Sequence, residues 1–147
     1  MKSLPYEIHE TGSAFRRSLD RRAAALGVTG AQWKVLFRLS RMPGLRQVEL
    51  ADMLDVEPIT CSRIIDRLGD AGLVQRVADP SDRRAWRLHL TDKAQPLVVK
   101  LRAIADQLIA EAFADLTPAE IESTQATLAK IRGNLCAASA AKKAVNQ

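Results

Sequence analysis

The fold of this chain is decided by residues 47–90, QVELADMLDVEPITCSRIIDRLGDAGLVQRVADPSDRRAWRLHL. Residues 47–54 carry apolar side chains at helical spacing, and a tight turn follows at residues 55–57. Pro58 then stands at the first position of a second helix, where proline is favoured, and this helix ends near Gly72. Two helices this short cannot each bury an apolar face alone, so they must pack on each other. This pattern predicts a helix-turn-helix.

A β-hairpin is predicted directly after the second helix. Residues 73–77 and 86–90 alternate in polarity as strands do, and the sequence DPSDRR at 79–84 between them is rich in turn-forming and charged residues. The second strand is predicted to turn its larger apolar side chains towards the core, namely Trp86, Leu88 and Leu90. The hairpin is therefore interpreted as a wing with a basic tip.

Helices are predicted before this region as well. The first runs from about Glu7 to Leu26 and stops at Gly27, because glycine tolerates the left-handed conformation found at helix ends. The second opens at a capping box, residues 29–32, and ends near Met42. The chain is therefore predicted to be mainly α with a small β-hairpin wing.

Two more helices are predicted after the wing. One runs from Thr91 to Leu116, and the last opens with a second capping box at residues 117–120. Apolar residues recur along the last helix in a narrow seam, at Ile121, Leu128, Ile131 and Leu135. A narrow seam on a terminal helix is typical of a surface that packs against another chain. Residues 137–147 are small and polar, and we expect a flexible tail there.

The composition is that of an ordinary globular protein of one domain, with 147 residues, 47% of them hydrophobic and 27% charged. No apolar run approaches the roughly 18 residues that a membrane helix needs, and the N-terminal residues lack the apolar stretch of a secretory signal. We therefore expect a cytoplasmic protein without a membrane partner. The net charge of +5 is modest, so a nucleic-acid partner must be argued from where the basic residues lie.

Candidate DNA contacts lie on the second helix of the pair, residues 58–71. On a helical wheel one side is apolar and forms the predicted core face, with Cys61, Ile64, Ile65 and Leu68. Polar residues lie on and beside the opposite face, and the candidate DNA contacts among them are Thr60, Ser62, Arg63 and Arg67. Hydroxyl groups bond to bases or phosphates, and Arg63 can donate two hydrogen bonds to guanine. The alternative is a solvated polar face; the turn before the helix and the basic hairpin after it favour DNA.

The wing tip offers three more candidate DNA contacts, Asp82, Arg83 and Arg84. An arginine held out on a hairpin fits a narrow minor groove of DNA, where the negative potential is enhanced. Asp82 is predicted to brace one of these arginines by an ion pair. The alternative is a charged turn that only faces solvent.

Chemistry other than binding finds little support in the sequence. No nucleophile–base pair, glycine-rich phosphate loop or carboxylate pair occurs at useful spacing, so we expect no enzyme. Two cysteines and two histidines form no metal-ligand cluster, and no cofactor is expected. Cys61 is interpreted as a buried structural residue rather than a redox sensor, and the role of Cys136 stays open.

From about Gly27 to Val99 the sequence resembles the MarR family of winged helix-turn-helix transcriptional regulators, and within it the SlyA-like branch. The most specific part of the resemblance is the wing, residues 79–84, followed by residues 88–91. The other matching segments lie in and after the two short helices, at residues 47–51, 57–60, 63–68 and 71–74. The flanking helices match by length and position only.

This resemblance implies a homodimer with a division of labour along the chain. Residues 1–28 and 92–136 would supply interlocking dimerisation helices, and residues 29–91 would form the DNA-binding lobe. The two lobes of the dimer would bind a pseudo-palindromic operator on double-stranded DNA, with the helix at 58–71 in the major groove. The wing arginine, Arg84 by position, would enter the minor groove. We expect a repressor.

The resemblance also implies a small-molecule effector. Many members of this family bind small aromatic acids in a cleft and then lose affinity for DNA, and Arg16 and Trp33 occupy positions that resemble the lining of that cleft. The second function class is a winged-helix module that binds protein partners without sequence-specific DNA binding. The basic face around Arg63 and the arginines at the wing tip argue against this second class.

Overall fold

The structure is a computed structural model that describes residues 3–145. In chain order its elements are α1 (Leu4–Ala24), α2 (Gly30–Arg41), β1 (Leu45–Arg46), α3 (Gln47–Leu54), α4 (Pro58–Asp70), β2 (Val74–Ala78), β3 (Trp86–Leu90), α5 (Ala94–Ala112) and α6 (Pro118–Val145). The prediction of a mainly α fold with a small β wing is confirmed. None of the helices within the described residues is long and apolar enough to cross a membrane.

Both predicted capping boxes are confirmed. At the start of α2 the Thr29 hydroxyl accepts a hydrogen bond from the amide of Gln32 at 3.2 Å, and the Gln32 side chain accepts one from the amide of Thr29 at 3.1 Å. At the start of α6 the amide of Thr117 donates to Glu120 Oε2 at 2.8 Å, and the amide of Glu120 donates to the Thr117 hydroxyl at 3.3 Å. Each box satisfies amides that the first turn of a helix would otherwise leave unpaired.

The helix-turn-helix is formed by α3 and α4. Helix α3 has the predicted bounds, and the turn that follows it depends on Asp55, whose φ of 53° is left-handed. Aspartate tolerates this conformation better than most residues, so the chain can reverse within three residues. The facing sides of both helices are apolar and buried, with Leu50 and Ala51 on α3 and Cys61, Ile65 and Leu68 on α4.

The sheet has the order β1-β3-β2, and both pairings are antiparallel. Strand β1 was not predicted, because two residues show no polarity period. Leu88 lies at the centre of the sheet and is fully buried. The prediction that Trp86 faces the core is wrong: Trp86 is 48% exposed. It pairs with Ala78 at the far end of the β2–β3 ladder, where the hairpin extends past the core.

The chain divides into two compact units, Met1–Leu108 and Ile109–Gln147. The first unit contains the main hydrophobic core, whose largest fully buried side chains are Leu36, Leu39, Leu50, Ile65, Leu68 and Leu88. These residues come from α2, α3, α4 and β3, so the helix-turn-helix and the wing share one core. Because one side of α4 is buried in this core, its opposite side faces solvent.

The second unit contains the end of α5 and all of α6, which is 28 residues long. None of the described side chains of α6 is buried, and the predicted seam runs from half-buried Ile121, Leu128 and Ile131 to Leu135, which is 64% exposed. Helix α6 continues to Val145, so the residues predicted to form a flexible tail are helical as far as that residue. Its last turns are rich in alanine, which has the highest helix propensity of all residues.

Candidate nucleic-acid interface

Helix α4 presents the predicted DNA contacts on its outer side. Cys61, Ile65 and Leu68 are buried, and this anchors one side of the helix in the core. Thr60, Arg63 and Arg67 are all exposed, and their spacing of three and four residues aligns them in one row along the helix. The next row holds Ile59, which is 63% exposed, half-buried Ser62 and exposed Asp66. Two adjacent rows of hydroxyl, guanidinium and apolar groups can read the edges of base pairs.

Arg76 on β2 joins this surface, and the sequence analysis missed it. Its guanidinium lies 2.7 Å from Asp66 Oδ1, and its Nε donates to the Gln47 side chain at 3.2 Å. Nη2 also donates to the backbone carbonyl of Ser62 at 3.5 Å. The same residues line a shallow cavity of about 400 Å³, together with the exposed ring of Trp86. The only available signal was an arginine in a short strand, which has no characteristic spacing from its helix partner.

The wing tip is ordered in a way that differs from the prediction. Within the described residues Asp82 forms no ion pair with Arg83 or Arg84. Instead its Oδ1 accepts a hydrogen bond from the backbone amide of Arg84 at 2.9 Å, and its carbonyl accepts one from the amide of Ala85 at 3.1 Å. Asp82 therefore fixes the backbone of the turn, because an aspartate side chain bonds readily to the amide two residues on. The side chains of both arginines remain exposed.

Asp79 at the base of the wing is a buried carboxylate with several polar partners. Its side chain is fully buried, and Oδ2 lies 3.1 Å from Nε of Arg46 and 3.1 Å from Nε of Arg87. Oδ1 accepts hydrogen bonds from the Ser81 amide at 2.9 Å and from the Ser81 hydroxyl at 2.7 Å. These two hydrogen bonds, followed by the two arginines, lower the pKa of Asp79 from 3.8 to about 2. Asp79, which follows β2, is thus connected to Arg46 on β1 and to Arg87 on β3.

A separate cavity of about 500 Å³ opens beside Trp33. Its other lining residues are apolar or basic: Leu19, Lys34, Phe37, Arg38, Arg41, Met53, Leu54 and Ala105. The Trp33 indole N–H donates to Asp20 Oδ1 at 2.7 Å, and its ring meets the Phe37 ring edge-on at 5.6 Å between centroids. Trp33 is therefore held as one wall of the cavity.

Arg16 and Trp33 were predicted to line one ligand cleft, and only Trp33 lines this cavity. Arg16 is exposed on α1, donates to the Ser13 hydroxyl at 3.2 Å and is not among the residues that line this cavity. The cations at the cavity are Lys34, Arg38 and Arg41 instead. Arg16 and Trp33 are 17 positions apart, and no periodic pattern relates residues on two different helices.

The remaining sequence-based candidates concern metal and redox chemistry. Cys61 is buried, as predicted, and burial raises the pKa of its thiol, whose Sγ donates to the Gln47 carbonyl at 3.8 Å. Cys136 is exposed on α6. Among residues 3–145 no group of three or more histidine, cysteine, aspartate or glutamate side chains could hold a metal ion.

Comparison with known proteins identifies relatives of this architecture. Residues 28–86 match the model of the MarR family. The chain is similar to the transcriptional regulator PA3341 at 36% identity over 90% of this chain and 98% of that one, with a TM-score of 0.84. It is similar to a MarR-family regulator from Silicibacter pomeroyi at 31% identity over 88% of each chain, with a TM-score of 0.79. A MarR mutant from E. coli complexed with operator DNA matches at 28% identity over 87% of this chain and 92% of that one, with a TM-score of 0.76.

Proposed function

Because this chain belongs to the MarR family, whose members regulate transcription and are not enzymes, we propose that it is a homodimeric repressor of a pseudo-palindromic operator. Helix α4 would enter the major groove of the DNA, and the wing at residues 79–85 would reach the minor groove. The solved relative in complex with operator DNA supports double-stranded DNA as the partner. Operator binding would take place in the bacterial cytoplasm, on the nucleoid.

One observation carries this proposal. A single helix exposes Thr60, Arg63 and Arg67 in one row while its opposite side is buried, and the exposed arginines of the wing belong to the same folded unit. Recognition helices have this construction, because the buried side fixes the orientation in which the other side meets base edges. We assign residues 29–91 to the DNA-binding lobe, and residues 1–28 and 92–136 to dimerisation.

A small aromatic acid is proposed as the effector that releases the DNA. The cavity beside Trp33 supports this class of ligand, since its walls combine apolar and aromatic side chains with cations. An indole ring stacks on a planar ligand, and Lys34, Arg38 or Arg41 can pair with a carboxylate. Because Arg16 does not line the cavity, we assign the carboxylate to these three residues rather than to Arg16.

Selection of bound sites from random double-stranded DNA tests the DNA-binding function. We expect a recovered motif with two-fold symmetry. On that motif Arg63→Ala should weaken binding by about 1–3 kcal/mol and relax the preference at one base pair in each half, as the loss of a bidentate base contact does. Lys142→Ala, which removes the same charge from an exposed position near the end of α6 and outside residues 92–136, is the matched control.

Recovery of no motif would contradict the proposal and favour the alternative, a winged-helix module that binds a protein partner. An equal loss of affinity on every DNA sequence would give Arg63 a different role, that of a phosphate contact.

A further inference from the structure

We propose that Arg76 and Asp66 form a latch that holds the recognition helix on the wing strand, and that both act as positioning residues for DNA specificity. This inference rests on the proposed operator binding. It concerns residues outside the row formed by Thr60, Arg63 and Arg67 on α4.

The latch is built from one guanidinium and three acceptors. Arg76 on β2 reaches Asp66 at 2.7 Å, the Gln47 side chain at 3.2 Å and the Ser62 carbonyl at 3.5 Å. Gln47 begins α3, whereas Ser62 and Asp66 belong to α4. One side chain therefore connects the wing strand to both helices of the helix-turn-helix.

The position of the acceptors on α4 explains why the latch bears on specificity. Ser62 and Asp66 are one helical turn apart and lie on either side of Arg63 along the chain. The buried contacts of α4 set which side of the helix faces outward, but apolar contacts are non-directional and restrain its fine rotation less than a hydrogen bond does. A planar guanidinium bonds only along fixed directions, so it restrains the rotation of the helix about its own axis. Without the latch, Arg63 would meet the base pairs over a wider range of angles.

The charges argue against the other role open to Arg76, that of a phosphate ligand. Asp66 is exposed and negative, and Arg76 is less exposed than its partner. If Arg76 had to leave Asp66 to bind a phosphate, the freed carboxylate would remain near the DNA and repel it. As long as the pair stays closed, this charge is neutralised at 2.7 Å.

The two roles predict opposite effects of removing Asp66, and this makes the test decisive. Affinity is measured for Asp66→Ala, Arg76→Gln and the double variant, on the selected operator and on random-sequence DNA, at several salt concentrations. For a latch, each single variant should lose about tenfold in the ratio of operator to random affinity, and the double variant should lose no more than either one, as for coupled neighbours. The salt dependence of the affinity for random-sequence DNA should not decrease in these variants.

Asp66→Ala strengthening operator binding, together with Arg76→Gln lowering the salt slope by about one on both DNAs, would overturn the latch in favour of a phosphate contact. Unchanged specificity in both single variants would overturn it as well. Asp70→Ala removes an exposed carboxylate from the end of the same helix without touching the latch, and serves as the control. Asp66 is itself exposed, so its alanine variant keeps the core, and melting curves verify this. If the unaltered protein selects no operator, the proposed function fails, not the latch.

Discussion

Asp79 shows how one buried carboxylate can order an exposed loop. It accepts two hydrogen bonds from Ser81 and faces two arginines, so the negative charge is stabilised despite its burial. Arg46 precedes α3 and Arg87 lies on β3, so both ends of this network belong to the first compact unit. The order of the exposed wing therefore depends on a residue whose own side chain is buried.

The lowered pKa of Asp79 predicts a loss of stability in acid. Since the carboxylate has a pKa of about 2 in the folded state against 3.8 ordinarily, the folded protein holds this proton less tightly than the unfolded chain does. The contribution is present in full above about pH 4 and disappears as the pH falls towards 2. Melting temperatures of the protein and of Asp79→Asn should differ at pH 7 and converge below pH 4. A difference that stays constant over this range would contradict the assignment.

Arg84→Ala should weaken operator binding and leave the melting temperature unchanged, because the Arg84 side chain is exposed at the wing tip. If Arg84 enters the minor groove, the loss should be larger on operators with A·T-rich flanks, whose narrow groove concentrates negative potential. Titration on A·T-flanked and G·C-flanked operators at one salt concentration measures this difference. Lys142→Ala, which removes an exposed positive charge near the end of α6, is the control, and equal losses on both operators would indicate a phosphate contact only.

The helix ends could be predicted from sequence because their chemistry is local. A capping box joins residues three positions apart, so Thr29 with Gln32 and Thr117 with Glu120 were visible in the sequence and are present in the structure. The bounds of α3 and the turn after it follow from an equally local pattern. Strand β1 and the Asp79 network could not be predicted in this way, since Arg46 and Asp79 are 33 positions apart.

The candidate site likewise contains residues that a local pattern predicts and residues that only tertiary packing brings together. The row of Thr60, Arg63 and Arg67 follows from helical periodicity alone, and the structure exposes all three. Arg76 was missed because its contacts to two helices arise only when the hairpin packs beside them. Trp86 was placed in the core because alternation gives the side of a strand, but not the point where the hairpin passes beyond the core.

The cavity between α1, α2, α3 and α5 leads to a prediction about the effector. Salicylate should bind the protein at millimolar concentration, and Trp33→Leu should weaken this binding by about 0.5–1.5 kcal/mol through loss of the aromatic contact. Arg16→Ala should leave the affinity unchanged, because Arg16 does not line the cavity. Isothermal calorimetry measures the salicylate affinity of the unaltered protein and of both variants. No heat of binding from any aromatic acid would contradict the effector proposal.

The second unit of the chain leads to a prediction about assembly. Its seam of half-exposed apolar residues along α6 suits a second copy of the chain, as in helix pairs with a narrow contact stripe. The protein should therefore sediment as a dimer at micromolar concentration. Leu128→Glu should shift it towards the monomer, because a charge in the contact would lose its water without gaining a partner. Lys130→Glu, on the exposed side of the same helix, is the control.

A single species of 16.1 kDa for the unaltered protein would contradict the dimer. If the dimer forms, its two-fold axis relates two recognition helices, and the two halves of the operator should lie about one turn of DNA, or a multiple of it, apart. The spacing in the selected motif is therefore an independent measure of the assembly.

Because the Cys61 thiol is buried, it should react slowly with thiol reagents. A thiol-specific dye added to the native protein should modify Cys136 at once, because that thiol is exposed, whereas Cys61 is closed off by the packing of α4. Labelling should then proceed in two phases, and the rate of the slow phase should report how often α4 moves away from its neighbours. The slow labelling phase requires no denaturant, and bound DNA should slow it.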